Sequence, residues 1–336
     1  MPAEISIAPV LEQYSGLGPI RCIHPLANAG GFSGSFLWRI EREAGDLCLR
    51  RWPKEHPSAD QLWLIHGLLH KLGEGDSSYI PVPIQNKRRQ TFFAHDEHLW
   101  ELTPWLPGKA DFQENPSRQR LASVMKVVAG IHRISQSQFP CPFQQSLTVH
   151  SRRDQLQRFM AAEADQIAAA VERHASQALQ VRGRGLLSHF RRRAPQALLK
   201  LTKASALSVP RFPVIRDLWH DHVLFTGDEV TGIVDFGAMR LDSAACDLSR
   251  LLGSLVGNDR EAWEFARHAY NSIRPLSADE WQLAQALDEA NVILAGLNWL
   301  DWICVQGRTF EDYDVVYARL DELLVRLEGT SYSPPA

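Results

Sequence analysis

Two aspartates on either side of a short hairpin constrain this chain more than any other feature. The segment Val214–Gly237 reads VIRDLWHDHVLFTGDEVTGIVDFG. Val223–Phe225 and Val230–Val234 have strand composition, and Thr226-Gly227-Asp228-Glu229 between them is a turn. A hairpin folds back on itself, so Asp217, ahead of the first strand, and Asp235, just after the second, come to the same mouth. Either aspartate alone reads as an ordinary turn residue. As a pair they suit metal-assisted phosphoryl transfer. One carboxylate orients or deprotonates an attacking hydroxyl, and the other holds a divalent cation against phosphates.

The chain around this segment changes character once. Arg21–Ala27, Ser35–Ile40, Asp46–Trp52, Thr91–Ala94 and His98–Thr103 read as strands, with Gly30-Gly31-Phe32-Ser33-Gly34 breaking the first two. Ser58-Ala59-Asp60-Gln61 is a capping box opening a helix with Leu62, Ile65, Leu69 and Leu72 on one side. From Pro116 the pattern is helical: Ser117 caps a helix with Leu121, Val124, Val128 and Ile131 on its apolar face. Arg152–Val181, Ser188–Leu201, Ala244–Val256 and Arg260–Ile273 read as further helices, and a long one follows the capping box Ser277-Ala278-Asp279-Glu280. The stretch Pro104–Pro107 is the natural boundary. The expectation is an α+β chain with a β-rich part over 1–103 and a helical part over 104–336.

Composition narrows the function classes. Apolar residues make up 45% and charged residues 22% of the 336, which is ordinary globular usage, and the net charge of −3 gives no reason to expect nucleic acid. The basic runs Lys87–Arg89 and Arg191–Arg193 read as solvated faces. The most apolar stretch, Asn291–Val305, is interrupted by Asn298 and Asp301 and reads as a buried helix rather than a membrane span. The start, MPAEISIAPV, lacks a basic stretch followed by an apolar one, so no secretory signal is expected. The five cysteines are scattered, without metal-ligand spacing or a disulfide framework. These features together predict a cytoplasmic protein.

The hairpin segment resembles the motif of aminoglycoside phosphotransferases, choline kinases and homoserine kinases, a branch of the protein-kinase-like fold. In that family it usually runs H-G-D-x-x-x-x-N, then a hairpin, then D-F/W-G. The resemblance implies a bilobal fold, with a small β-rich N-lobe and a larger helical C-lobe. It implies ATP and magnesium (Mg2+) as cofactors and a small-molecule hydroxyl as acceptor. Asp217 takes the position of the catalytic aspartate and Asp235 that of the magnesium aspartate. Ala245-Cys246-Asp247-Leu248 resembles the helix start whose acid supports the catalytic loop. Gly30, Gly31, Ser33, Gly34 and Ser35 occupy the place of the phosphate-covering loop, where glycines let backbone N–H groups approach phosphate. Arg50 falls where a strand lysine contacts phosphates, with Arg51 beside it. Glu101-Leu102-Thr103 resembles the hinge whose backbone holds adenine.

The departures from that pattern are specific. His-Gly ahead of the catalytic aspartate is Ile215-Arg216 here, and the metal-site asparagine is His222. Imidazole is a poor magnesium ligand, so His222 reads either as a weakened metal site or as a structural histidine donating to a backbone carbonyl. The helix after Arg50 carries no glutamate to pair with it, and His66 is the nearest polar residue there. These changes leave an alternative reading, a nucleotide-binding pseudokinase or regulatory module with little or no turnover. Late in the chain Asp288, Glu289, Trp299, Asp301, Trp302, Glu311, Asp312 and Asp314 combine acids with tryptophans, a composition suited either to a cationic acceptor or to a core with a solvated face.

Overall fold

Period-two alternation sorts the side chains of the first sheet onto two chemically different faces. A computed structural model describes residues 6–26, 34–75, 78–173, 176–310 and 312–329. After a short helix α1 (Ala8–Leu11) come strands β1 (Ile20–Leu26), β2 (Phe36–Arg42) and β3 (Leu47–Arg51). Helix α2 (Ala59–Gly73) and strands β4 (Phe92–His95) and β5 (His98–Pro104) complete this part. The strands form an antiparallel sheet in the order β1-β2-β3-β5-β4. On one face Trp38, Ile40, Leu47, Leu49, Trp100 and Leu102 pack with Val10, Leu11 and Tyr14. The rings of Trp38 and Trp100 stack with centroids 5.5 Å apart. Each such side chain contributes about 1.5–3 kcal/mol on burial, so this face fixes the register of the sheet. The alternate positions, Cys48 and Arg50 on β3 and Glu101 and Thr103 on β5, carry the polar chemistry. Ser58 accepts from the Gln61 N–H at 3.3 Å and Gln61 returns the bond at 3.0 Å, so the expected capping box starts α2.

The elements continue with α3 (Arg118–Gln138), β6 (Phe143–Gln144), α4 (Leu147–Arg158), α5 (Ala164–Arg173), α6 (Gln177–Ala204), β7 (Val209–Pro210) and β8 (Phe212–Val214). The hairpin strands β9 (Val223–Thr226) and β10 (Glu229–Ile233) follow, then β11 (Arg240–Asp242), α7 (Ala245–Leu255), α8 (Arg260–Asn271), α9 (Ala278–Leu300) and α10 (Tyr313–Gly329). The helix predicted over Arg152–Val181 is divided. A π-helical segment, Phe159–Glu163, separates α4 from α5, and Ser176 caps a new helix by accepting from the Leu179 N–H. The predicted Ser188–Leu201 is the middle of that longer helix, which runs through Pro195. Among the described residues no helix is long and apolar enough to cross a membrane.

The chain divides into two compact units, and the division differs from the 103/104 boundary expected from sequence. The first runs to Phe139 and takes in Ile215–Arg240 and Ser272–Arg274; the second holds Pro140–Val214, Leu241–Asn271 and the chain from Pro275 onward. Contacts rather than chain order decide this. Lys109 forms a bridge with Phe225, and α3 packs on β10, so the loop after β5, α3 and the hairpin belong with the sheet. The second unit is helical, with α6 and α9 as its principal pair. Within it the buried Asp242 carboxylate accepts from the Thr148 N–H and hydroxyl at 2.9 and 2.7 Å, fixing the start of α4.

Candidate active site

The hairpin is pinned before its ends can be useful. Lys109 and Phe225 exchange backbone hydrogen bonds of 3.0 and 2.8 Å, and the Thr231 hydroxyl donates to the Pro107 carbonyl at 2.8 Å. From α3 the buried Arg120 donates to the Gly227 carbonyl at 2.9 Å, pairs with Asp111 at 2.9 Å and lies 4.8 Å from the centroid of the Phe225 ring. Gly108 permits the close approach. Its φ is +103°, and a Cβ there would stand 2.4 Å from Thr231 Oγ1 and 2.7 Å from the Phe225 carbonyl oxygen.

At the mouth, backbone and side chain of one residue join the two aspartate segments. The His222 carbonyl accepts from the Val234 N–H at 3.0 Å, beside Asp235. The His222 ring lies with Nδ1 2.6 Å from the Asp217 carbonyl oxygen, which can only accept, so Nδ1 carries the proton. The Trp219 indole N–H donates to Nε2 at 3.1 Å, so that nitrogen spends its lone pair and the ring is neutral. Of the two readings open for His222, this is the structural one: neither nitrogen is left for a cation. The separation of 3.7 Å between Nε2 and Asp235 Oδ2 is too long for a hydrogen bond. Replacing this buried ring by alanine is expected to cost about 1–3 kcal/mol, because its hydrogen bonds with the Asp217 carbonyl and the Trp219 N–H are lost. His222→Ala should therefore lower the melting temperature while leaving the ratio of magnesium- to manganese-supported activity unchanged, which thermal melts and metal titrations would test.

Both flanks of the hairpin hold non-glycine residues in the left-handed region, Arg216 at φ +68° and Asp235 at φ +61°. Arg216 stands where the resemblance expects glycine, and it adopts the backbone conformation that glycine favours. Such residues cost about 1–2 kcal/mol each and persist where the surroundings over-determine them.

Asp235 lies in a chain of alternating charge. Its Oδ1 accepts from Arg50 Nη1 at 3.0 Å. Arg50 Nε is 3.6 Å from Glu101 Oε1, and Glu101 Oε2 is 2.8 Å from His66 Nε2. His66 Nδ1 is 2.8 Å from the Thr91 hydroxyl, and the guanidinium lies 4.4 Å from the Trp52 ring centroid. Burial pushes the Asp235 carboxyl up, but the Arg50 charge and hydrogen bond outweigh it and hold the group below its ordinary value. Burial likewise pushes Glu101 up, and the His66 hydrogen bond with the Arg50 charge brings it below the ordinary range. Both carboxylates are thus ionised at neutral pH. The Trp52 ring also explains Gly237 in the Asp-Phe-Gly run, since a Cβ there would lie 2.8 Å from the indole.

The remaining sequence-selected positions are distributed as follows. Gly30, Gly31 and Ser33 lie outside the described residues; Gly34, at φ +71°, and Ser35 lead into β2. Glu101, Leu102 and Thr103 sit inside β5, opposite Arg50, Leu49 and Cys48, and the Leu102 carbonyl accepts from the Ile84 N–H at 2.8 Å. Glu101 thus reaches the site with its carboxylate, through Arg50 and His66. Asp247 is fully buried at the start of α7. In the second unit Asp288 pairs with Arg326 at 2.9 Å and Glu289 with Lys200 at 2.5 Å, so both acids are compensated from within. Trp299 packs on Trp302 and Phe310, and Glu311 lies outside the described residues.

Among the described residues no group of three or more His, Cys, Asp or Glu side chains is arranged to hold a metal unaided. Asp235 by itself suits magnesium, which usually takes one or two carboxylates and completes its shell with phosphate oxygens and water.

Residues 26–287 match the phosphotransferase enzyme family. A homoserine kinase from Methylocella silvestris is 35% identical over 105 residues, covering 29% of this chain and 32% of that protein. The alignment therefore spans about a third of the curated relative. A crystal structure of a spectinomycin phosphotransferase with ADP and spectinomycin superposes with a TM-score of 0.65 at 12% identity, covering 96% of both chains. An aminoglycoside phosphotransferase from Alicyclobacillus acidocaldarius gives a TM-score of 0.64 at 13% identity, over 98% of this chain and 97% of that one. The fold is thus the protein-kinase-like α+β fold, with a β-rich N-lobe and a helical C-lobe.

Proposed function

The chain belongs to the phosphotransferase enzyme family, and from that premise we propose that it transfers the γ-phosphoryl group of MgATP to a hydroxyl of a small molecule. The observation that carries this reading is the hairpin mouth, where His222 ties the Asp217 backbone beside Asp235 and Asp235 faces Arg50. Asp217 orients the acceptor hydroxyl and takes its proton as the new oxygen–phosphorus bond forms. The bond between the γ-phosphorus and the bridging oxygen breaks, and ADP carries away the electron pair. Arg50 donates to phosphate oxygens, offsetting charge that a lysine would meet as a point. Asp235 would hold magnesium, which neutralises charge on the phosphates. Gly30, Gly31, Ser33, Gly34 and Ser35 are proposed to cover the phosphates, and β5 with the loop after it to border the adenine. The reaction draws on cytoplasmic ATP.

Relatives named for homoserine and for spectinomycin favour a small-molecule acceptor over a protein. The test is ADP release from MgATP over a panel of amino acids, amino alcohols, sugars and aminoglycosides, with Asp217→Asn as control. At least one class should exceed the control by roughly 100-fold or more. Tight nucleotide binding with no turnover across the panel would overturn the kinase reading in favour of a nucleotide-binding module.

A further inference from the structure

We infer that Glu101 and His66 form a positioning pair that aims Arg50 at the phosphates, doing from β5 and α2 together what the resemblance expects of a single helix glutamate. This rests on the phosphotransfer reading above. Arg50 and Glu101 are directly opposed on β3 and β5, so their side chains leave the same face of the sheet. Nη1 of the guanidinium donates to Asp235 at 3.0 Å, Nε forms an ion pair with Glu101 at 3.6 Å, beyond hydrogen-bond distance, and the plane lies against the Trp52 ring. Nη2 makes no hydrogen bond among the described residues, which leaves one arm of the fork for an anion.

The two carboxylates have different futures when MgATP binds. Asp235 is the group suited to a cation, and its hold on Nη1 weakens as it turns to one. Glu101 faces no such competitor. Its Oε1 meets Arg50 and its Oε2 meets the Nε2 of His66, a residue only 2% exposed. His66 in turn meets Thr91 through Nδ1. The Glu101 carboxylate can only accept, so Nε2–H donates to it. Glu101 is then the lasting counter-charge of Arg50. Because His66 lies on α2, the placement of that helix is transmitted to the arginine through two hydrogen-bonded side chains.

A merely structural carboxylate would support folding and leave phosphate recognition unaffected once folded. Calorimetric titration of AMP-PNP with magnesium, and of adenosine, separates these roles in wild type, Glu101→Gln, His66→Leu and His66→Gln. Glu101→Gln and His66→Leu are expected to weaken AMP-PNP binding roughly 10- to 30-fold, and adenosine binding less than about twofold. His66→Gln keeps a donor toward Glu101 and should recover most of the loss. In an Arg50→Ala background the Glu101→Gln effect should fall below about twofold, since the pair acts only through the arginine. Equal losses for adenosine and AMP-PNP, or an undiminished Glu101 effect without Arg50, would overturn the positioning pair. If Glu101→Gln does not fold, the two His66 variants and their double mutants with Arg50→Ala decide by the same criteria. Absence of AMP-PNP binding by the wild-type protein would overturn the phosphotransfer reading and this inference with it. Wild-type binding with additive losses would overturn this inference alone.

Discussion

Asp217→Asn and Asp235→Asn are both expected to abolish phosphoryl transfer while differing in how they bind nucleotide. Asp217 acts on the acceptor side, so its amide loses the base and turnover falls roughly 10²- to 10⁴-fold. Its backbone, held by His222, is unchanged, and MgATP affinity should stay near the wild-type value. Asp235→Asn removes the carboxylate that suits magnesium and the nearer partner of Arg50. Binding of the magnesium complex should weaken about tenfold or more. With EDTA present the sign reverses, because Arg50 no longer divides its charge between Asp235 and the phosphates. Metal-free ADP should then bind Asp235→Asn at least as well as wild type. Titrations of ADP with and without magnesium, alongside ADP-release assays, check all of these. Full turnover by Asp217→Asn would remove that residue from the chemistry.

Gly108→Ala is expected to be among the most destabilising single substitutions in the first unit. Two penalties combine: the backbone at φ +103° is one that L side chains rarely adopt, and the new Cβ would lie 2.7 Å from a backbone carbonyl oxygen. The Thr231 hydroxyl can rotate away, but only by giving up its bond to the Pro107 carbonyl. The Phe225 carbonyl cannot move without breaking the bridge to Lys109. A loss of about 3–4 kcal/mol follows, or roughly 4–6 °C in melting temperature for a protein of this size. Gly227→Ala is the control. Its φ is +60° with nothing within 4 Å of the added carbon, so its cost is the conformational one of about 1–2 kcal/mol. Because the Gly108 contact seats the hairpin, activity measured well below the melting temperature should also fall in Gly108→Ala and hold in Gly227→Ala. Equal melting temperatures for the two variants would show that the loop does not seat the hairpin.

Much of the fold was legible in local pattern. The strands, the capping boxes at Ser58 and Ser277 and the Asp217–hairpin–Asp235 order depend on neighbours within a few residues, and those neighbours are visible in the chain. Local pattern misjudged the helix over Arg152–Val181, where a π-helical segment and a serine cap divide an apparently continuous period. The compact units divide elsewhere than at 103/104, because what unites the hairpin with the first unit is the distant pairing of Lys109 with Phe225.

The site shows the same division. Sequence by itself placed an aspartate on either side of a hairpin, because the strand composition and the turn between Thr226 and Glu229 are local signals. Tertiary structure alone decided what each departure from the family pattern means. His222 has its ring nitrogens committed to Asp217 and Trp219, and Arg50 finds its partners in Asp235 and Glu101. Those pairings bridge segments far apart along the chain, and a buried charge takes whichever counter-charge the packed core brings within reach. Local periodicity carries no information about that choice.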